Sequence, residues 1–378
     1  MSWSWNLGRV AGIPIFVHWT FLILIAWLVA AGVMENRSLV EVLEQGAFVV
    51  ALFGCVVLHE LGHALTARRF GVPTSDITLL PIGGVARLQR IPDRPGQELL
   101  VALAGPAVNV VIVALMVGVF GVRLPSSADS GQVLHAGFWS KILLVNVFLA
   151  GFNMLPAFPM DGGRVLRALL AMKLPYAKAT RLAASIGQLM AIAFGLFGLS
   201  NGAPMLLFIA LFVWIGAESE AVQVAERAAL KDVAVQEAML TDFHTLQDDD
   251  TLGRAAELLL AGTQQDFPVV QTGGGEGDAD GLVLTRANLM AGLSARGPEA
   301  PIREFATAAA PTVDADGPLV AAVGVLRERG VPCLQVTRGG RVVGLLTLEN
   351  VGELLMVREA LGKVGDGSVA PAGGERVY

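Results

Sequence analysis

A long apolar run that ends in two histidines and a glutamate constrains this chain more than any other stretch of its sequence. Residues 47–58 read Ala-Phe-Val-Val-Ala-Leu-Phe-Gly-Cys-Val-Val-Leu and carry no charge, and the run continues directly into His59-Glu60-Leu61-Gly62-His63. On a helix, residues four positions apart share one face, so His59 and His63 are expected to lie side by side. Two imidazoles at this spacing suit one Zn²⁺, and a glutamate beside them suits a general base.

The same pattern also fits two histidines that are satisfied within a protein core beside a solvated glutamate. The position of the pattern in the apolar run argues against this alternative, because an ionisable side chain at membrane depth is costly and is usually functional. We therefore interpret His59 and His63 as zinc ligands and Glu60 as the group that takes a proton from water.

The composition predicts a polytopic α-helical membrane protein. Of the 378 residues, 54% are hydrophobic and only 16% are charged, which is too apolar for an ordinary soluble protein. A signal peptide is a competing interpretation of the first apolar stretch, although the length of that stretch favours a retained span. Stretches long enough to cross a bilayer predict six spans, at residues 17–33, 47–70, 99–121, 139–158, 185–200 and 204–222.

The distribution of positive charge predicts the orientation of these spans. With a cytoplasmic N-terminus, the segments outside the membrane place eleven Lys and Arg residues on the cytoplasmic side and three on the outer side. Positive residues are enriched on the cytoplasmic side of membrane proteins. We therefore expect a multi-pass protein of the plasma membrane with both termini in the cytoplasm, and with His59 and His63 in the inner half of the second span.

A short apolar segment between the second and third spans has the composition of a β-hairpin. Residues 77–88 are rich in Ile, Leu, Thr and Val around Gly83-Gly84, which is typical of two short strands joined by a turn. The edge of such a hairpin can accept an extended peptide as an additional strand. A plain surface turn explains the same residues equally well.

The end of the fourth span supplies an acidic candidate for the metal site. Residues 153–163 read Asn-Met-Leu-Pro-Ala-Phe-Pro-Met-Asp-Gly-Gly, and the two prolines are expected to end the helix. Asp161 is the natural third protein ligand, because three ligands leave the fourth zinc position open for catalysis. Asn153 is a candidate for holding the substrate or its oxyanion. A turn residue at Asp161 and a helix–helix hydrogen bond at Asn153 remain alternatives, and Asn109 in the third span is interpreted as such a hydrogen bond.

The C-terminal part of the chain differs in charge and is predicted to be a soluble α/β unit. Residues 1–223 carry 14 Lys and Arg against 11 Asp and Glu, whereas residues 224–378 carry 13 against 22. This acidic balance and the lack of a basic stripe argue against nucleic acid as a partner. The two cysteines, Cys55 and Cys333, lie in different halves, so no structural disulfide is expected.

An internal repeat organises this acidic half. Residues 245–259 match residues 312–326, and each copy continues into a strand that a proline opens, at Pro268 and Pro332, then a second strand and a helix. Two such copies pack into one compact domain. We assign the chain to a membrane domain, a linker, two repeats and a flexible tail, at residues 1–222, 223–237, 238–293, 302–361 and 362–378.

The membrane half resembles the site-2 protease family of intramembrane zinc metalloproteases. The resemblance rests on the ordered combination His59-Glu60-x-x-His63, Gly83-Gly84, Gly105-Pro106 and Asn153-x-x-Pro156-x-x-Pro159-x-Asp161-Gly162. It implies that His59, His63 and Asp161 hold one zinc ion, that Glu60 is the catalytic base, and that the segment around Gly83 and Gly84 guides the substrate. The implied substrates are single-span membrane proteins, cleaved in regulated intramembrane proteolysis.

The repeat resembles a tandem pair of CBS domains, a regulatory module that often binds adenosine nucleotides. The resemblance implies a nucleotide site at Thr285, Asn288, Thr347 and Asn350, and a homodimer that forms through the CBS domains. Ribose-binding positions of this module usually read Thr or Ser, two residues, then Asp. In this chain both motifs end in Asn instead of Asp, and an Asn oxygen can still accept a ribose hydrogen bond.

Two other classes of protein fit parts of the sequence. A membrane transporter or channel gated by the CBS pair accounts for the spans and the intramembrane charge, and a non-catalytic membrane scaffold accounts for the architecture. Neither class needs a general base beside two zinc ligands. We therefore predict a zinc metalloprotease that hydrolyses peptide bonds in or near the bilayer, with Glu60 as base.

Overall fold

The protein consists of two compact units, Met1–Ala225 and Glu226–Tyr378. The computed structural model describes residues 4–81, 83–88, 94–123, 137–270, 282–308 and 311–365. The predicted flexible tail lies outside the described residues from residue 366 onward, and the last helix runs to Gly365.

The first unit is dominated by apolar helices. Four of them, α2, α3, α6 and α7, are long and apolar enough to cross a membrane. Two others, α1 and α4, are apolar but only 15 and 16 residues long, and a perpendicular span needs about 20 residues. Four of the six predicted spans therefore meet the length criterion, and the other two remain predictions. The helices are α1 (Thr20–Met34), α2 (Leu39–Arg69), α3 (Pro95–Gly118), α4 (Phe138–Asn153), α5 (Asp161–Ala171), α6 (Tyr176–Ser200) and α7 (Pro204–Leu230).

The two short helices differ from the predicted spans for identifiable reasons. The first predicted span starts at residue 17, but Val17 and His18 belong to a strand and α1 starts only at Thr20. The fourth was predicted to run to residue 158, but α4 ends at Asn153. Pro156 lies just beyond this end, and a proline disfavours the helical conformation of the residue before it.

A four-stranded sheet packs against α2. Its strand order is β1-β2-β3-β4, with β1 and β2 antiparallel, β2 and β3 parallel, and β3 and β4 antiparallel. Apolar side chains from β2 and β3, such as Ile13 and Ile77, share a core with Leu61 and Ala64 of α2. The sheet thereby places its last strand beside the helix that carries the histidine pair. The strands are β1 (Ser4–Val10), β2 (Ile13–His18), β3 (Thr74–Leu80) and β4 (Gly83–Leu88).

Only part of this sheet was anticipated. Strands β3 and β4 coincide with the segment interpreted as a hairpin, and Leu80 pairs with Gly83 at its turn. Strands β1 and β2 were not predicted. In β1, six of the seven residues from Ser4 to Val10 are exposed, so no alternation of buried and exposed residues marks the strand. In β2, by contrast, Ile13, Ile15 and Val17 are buried in strict alternation.

The second unit has the internal symmetry that the repeat predicted. Each half contains a first strand parallel to a second, an antiparallel third strand and two helices. Each half buries its own apolar core, one around Leu252 and Phe267 and the other around Leu319 and Leu334. The first half contains β5 (Leu246–Gln247), α8 (Leu252–Ala261), β6 (Phe267–Val270), β7 (Leu282–Leu284), α9 (Arg286–Arg296) and β8 (Thr307–Ala308). The second contains β9 (Thr312–Asp314), α10 (Leu319–Arg329), β10 (Cys333–Arg338), β11 (Arg341–Thr347) and α11 (Leu348–Gly365).

Candidate metal centre

Helix α2 carries the histidine pair on its buried side. The helix starts at a capping box, in which the Ser38 hydroxyl accepts the Glu41 N–H and the Glu41 carboxylate accepts the Ser38 N–H. This pairing satisfies backbone donors that the first turn would leave open. His59 and His63 lie one turn apart, about six helical turns beyond Ser38. Both side chains are buried.

Asp161 is the first residue of α5. The loop before it is anchored by Ala157 and Met160, which are buried in a core with Ala191 of α6 and Val213 of α7. The carboxylate is itself buried. A carboxylate in the first turn of a helix is stabilised by the unpaired N–H groups there.

The three predicted ligands converge. The Nε2 atoms of His59 and His63 are 3.1 Å apart, and they lie 3.2 and 3.1 Å from Oδ2 of Asp161. Zinc–ligand bonds of about 2.0–2.1 Å put tetrahedral ligand atoms about 3.3–3.4 Å apart. Within the described residues, these three form the one group of His, Cys, Asp or Glu side chains suited to a metal ion. Both the donor set, two imidazoles and one carboxylate, and its spacing fit zinc.

A glycine in α3 leaves space for this group. A Cβ atom on Gly105 would lie 2.1 Å from Nε2 of His63 and 2.7 Å from Nε2 of His59. Such distances are far below van der Waals contact. Gly105 is therefore the residue that lets α3 approach the metal-binding side of the histidines.

Hydrogen bonds from α3 orient both imidazoles. Nδ1 of His59 lies 2.6 Å from the side-chain oxygen of Asn109, and Nδ1 of His63 lies 2.7 Å from the backbone oxygen of Val101. Because both partners are acceptors, each Nδ1 carries the proton and each Nε2 presents its lone pair to the site. Asn109 also donates to Asn146 of α4. The helix–helix hydrogen bond predicted for Asn109 exists, but its contact with His59 was missed.

Glu60 lies against β4 rather than among the ligands. Its carboxylate accepts the N–H of Ala86 at 3.2 Å. Strand β4 is the last strand of the sheet, and Ala86 directs this N–H away from β3 toward α2. A Cβ atom on Gly84 would lie 2.8 Å from Cγ of Glu60. Gly84 thus permits the close approach of strand and glutamate, while Gly83 has a positive φ of 140° that favours glycine.

The other predicted residue of this unit, Asn153, is the last residue of α4. It is half-buried, and in the described part of the chain its side chain makes no hydrogen bond. Among the described residues, the helix–helix bond considered as the alternative is therefore not formed. Asn153 is not in the group formed by His59, His63 and Asp161.

The predicted nucleotide residues cap helices in the second unit. The hydroxyl of Thr285 accepts the N–H of Asn288, and the hydroxyl of Thr347 accepts the N–H of Asn350. The Asn288 side chain donates to the backbone oxygen of Phe305, whereas the Asn350 side-chain oxygen accepts from Thr347. Both motifs thus have a local structural role.

Cys333 is part of an apolar core in the second unit. It is buried at the start of β10, where it packs against Val283 of β7. Burial, together with the charge of Asp266, raises the pKa of its thiol to about 12. A buried thiol in apolar surroundings of this kind is typical of a structural rather than a reactive cysteine.

Comparisons with known proteins agree with this geometry. The sequence matches the profile of peptidase family M50 over residues 47–129 and 118–194, and that of the CBS domain over residues 302–356. It is 36% identical over 275 residues to a zinc metalloprotease of Methanocaldococcus jannaschii, covering 72% of this chain and 77% of that one. It is 30% identical over 379 residues to Rip3 of Mycobacterium tuberculosis, covering 93% and 92%.

The chain is also similar to a protein of known structure. The site-2 protease from Methanocaldococcus jannaschii is 38% identical, with a TM-score of 0.43, and the match covers 58% of this chain and 95% of that one.

These relatives decide between the classes of protein that the sequence left open. The transporter and scaffold alternatives do not account for sequence identity to metalloproteases over most of the chain. The buried His-His-Asp group supplies the metal donors that such an enzyme needs. The chain belongs to peptidase family M50, and it is a multi-pass, site-2-type zinc metalloprotease with a C-terminal pair of CBS domains.

Proposed function

We propose that this protein hydrolyses peptide bonds in or near the transmembrane segment of single-span membrane proteins, as in regulated intramembrane proteolysis. The observation that carries the proposal is the position of Glu60. It follows the ligand His59 in an apolar helix, and its carboxylate contacts the outer edge of β4. A base and two metal ligands thus lie on one helix long and apolar enough to span a membrane, and the edge of β4 lies beside the base.

His59, His63 and Asp161 would hold the zinc ion, and the hydrogen bonds from Asn109 and Val101 would keep the imidazoles in the required tautomer. When bound, zinc supplies a Lewis acid that polarises the scissile carbonyl and lowers the pKa of water from about 15.7 toward about 7. Glu60 takes the proton of the attacking water and passes it to the leaving amine. The amide of Asn153 would donate to the carbonyl oxygen as negative charge develops there.

The outer edge of β4 is the proposed binding site for the substrate backbone. A transmembrane helix hides its carbonyl groups in internal hydrogen bonds, so the substrate must unwind before it is cleaved. An added strand at β4 would replace those bonds. The Ala86 N–H lies on this edge beside Glu60, which would bring the substrate backbone next to the base.

The orientation and the number of spans follow from charge and hydropathy. We propose six spans in the plasma membrane with both termini in the cytoplasm, because eleven of fourteen basic residues then lie on the cytoplasmic side. Helices α1 and α4 would complete the six, with help from the residues that flank them.

We expect Glu60→Gln to abolish cleavage while leaving zinc in place. The amide is close to the carboxylate in size but cannot accept the proton of water. The measurement is zinc content alongside cleavage of a single-span test substrate in detergent. Cleavage by the variant at the rate of the wild type, or a wild type without zinc, would contradict the assignment of Glu60 or of the metal site.

We expect Gly105→Ala to remove zinc. The new Cβ would occupy the space beside Nε2 of both histidines. Gly118→Ala, at the other end of α3, is the matched control, because a Cβ there meets no atom within 4 Å. Metal analysis should give about one zinc per chain for the control and almost none for Gly105→Ala. Full zinc occupancy in Gly105→Ala would place the metal elsewhere.

We expect Ala86→Pro to reduce cleavage at least tenfold without loss of zinc. Proline lacks the N–H that Glu60 and an added strand would share, and the removal of about 1.4 kcal/mol of transition-state binding corresponds to a factor of ten. Ala86→Ser keeps the N–H and serves as the control. If Ala86→Pro and Ala86→Ser cleave the test substrate equally well, β4 is not the substrate edge.

We propose that an adenosine nucleotide binds the CBS pair and that two chains associate through it. The hydroxyls of Thr285 and Thr347 and the oxygens of Asn288 and Asn350 lie at the starts of α9 and α11, where they would meet a ribose. One N–H of the Asn288 amide donates to the backbone oxygen of Phe305, which leaves the side-chain oxygen and the second N–H for the ligand.

Calorimetric titration of the full chain in detergent with AMP, ADP and ATP tests the nucleotide site. We expect binding of at least one of them, and an approximately fivefold weaker affinity in Thr347→Val, since one hydrogen bond contributes about 1 kcal/mol. Thr312→Val on β9 is the control. No heat of binding with any of the three nucleotides would remove nucleotide regulation from the proposal.

A further inference from the structure

A cluster of buried charges surrounds Arg167 in the first unit. Arg167 lies on α5 and is almost fully buried. Its guanidinium donates to Oε1 of Glu98 from α3 at 2.7 Å through Nε and 2.6 Å through Nη2. It also donates to Glu220 of α7. The rings of Phe158 and Tyr176 lie on the guanidinium at 5.0 Å each.

This cluster is expensive for an apolar unit. Burying a charge costs several kcal/mol, and well-packed apolar side chains of similar volume often give equal or better stability. The pairing is also incomplete, because Oε2 of Glu98 is buried without a hydrogen-bond partner among the described residues. Arg167 lies between the predicted fourth and fifth spans, and fold stability alone does not account for the burial of its charge.

The connections of Arg167 lie on both sides of Asp161. Phe158, three residues before Asp161, stacks on the guanidinium, and Arg167 itself follows Asp161 by six residues on the 11-residue helix α5. The loop that leads into the carboxylate and the helix that leaves it are therefore held by one side chain.

Glu98 connects the Arg167 cluster to the helix that contacts the histidines. It belongs to α3, the same helix that supplies Val101, Gly105 and Asn109 to the imidazoles of His59 and His63. The ion pair between Arg167 and Glu98 thus joins the element that carries the carboxylate ligand to the element that orients the histidine ligands.

We propose that Arg167 is a positioning residue, which holds Asp161 at ligand distance from His59 and His63. The inference rests on the zinc ligands assigned under the proposed function. Without the guanidinium, α5 and its preceding loop would keep their apolar packing but lose their polar link to α3 and α7. The three ligand atoms would then no longer be held within the 3.1–3.2 Å of one another that the structure shows.

The test separates positioning from fold stability. Arg167→Met alone leaves Glu98 buried and unpaired, which is strongly destabilising, so the informative variant is the double substitution Arg167→Met with Glu98→Gln. Arg167→Lys is a second variant, which keeps the charge but not the planar fork or the ring stacking. Arg181→Met is the matched control, because Arg181 pairs with Glu218 between α6 and α7 at an exposed position.

The readouts are the thermal unfolding midpoint, zinc affinity by competition with a chelator, and the visible absorption of the Co²⁺-substituted protein. We expect the double variant to unfold near the wild-type temperature but to bind zinc at least tenfold more weakly, within the range of about 10–100-fold for groups that orient metal ligands. The Co²⁺ spectrum should change with it, and the control should match the wild type in all three readouts.

The proposal is wrong if a folded double variant binds zinc as tightly as the wild type and has an unchanged Co²⁺ spectrum. If the double variant does not fold, the same result in Arg167→Lys would overturn the proposal. Gly105→Ala, measured in parallel, keeps the two hypotheses apart. If that variant also binds zinc normally, the ligand assignment is wrong. If it loses zinc while the Arg167 variants keep it, only the positioning role fails.

Discussion

The convergence of His59, His63 and Asp161 in an apolar interior is the constraint on which the first unit depends. Imidazole and carboxylate groups are costly to bury unless each polar atom has a partner. Here each Nδ1 has an acceptor on α3, and each Nε2 faces the Asp161 carboxylate. Helix α3 must therefore lie close to α2, which a glycine at position 105 permits. Helix α5 must in turn begin at the point where its first residue meets both histidines.

The sheet has a corresponding role for Glu60. Apolar residues of β2 and β3 pack on one side of α2, and this packing sets the position of β4 at the edge of the sheet. The Ala86 N–H reaches the Glu60 carboxylate from that edge. The two histidine ligands and the base thus lie on one helix but have different neighbours, so the proposed substrate strand would reach the base without displacing a ligand.

The buried Arg167 cluster illustrates how polar side chains can fix the arrangement of helices in a membrane protein. In water, an ion pair between helices contributes little, and Arg181 with Glu218 is of that kind. Arg167 is different, because its partners on α3, α6 and α7 surround the start of α5 on several sides. Such a cluster defines one arrangement of helices more sharply than apolar side chains, which tolerate sliding.

Short-range patterns determined the chemistry of this chain. The spacing of His59, Glu60 and His63 is a property of one helix, and the repeat in the second half is visible because each copy folds through its own turns and strand order. Asp161 was also foreseeable, since prolines and glycines mark the turn that presents it. The strands β1 and β2 were not, because β1 has outward-facing residues on both faces and gains its partners only from the sheet.

Tertiary structure decided what surrounds the ligands. The roles of Asn109, Gly105 and Arg167 depend on close contacts between helices that are far apart in the sequence. A single asparagine, glycine or arginine forms no local sequence pattern from which such a contact could be predicted. The same holds for the contact between Glu60 and Ala86. The sequence by itself determined which residues can bind zinc and move a proton, because that depends on residue type and helical spacing. Only packing determined their separation and orientation, because those depend on how closely α3, α5 and β4 approach α2.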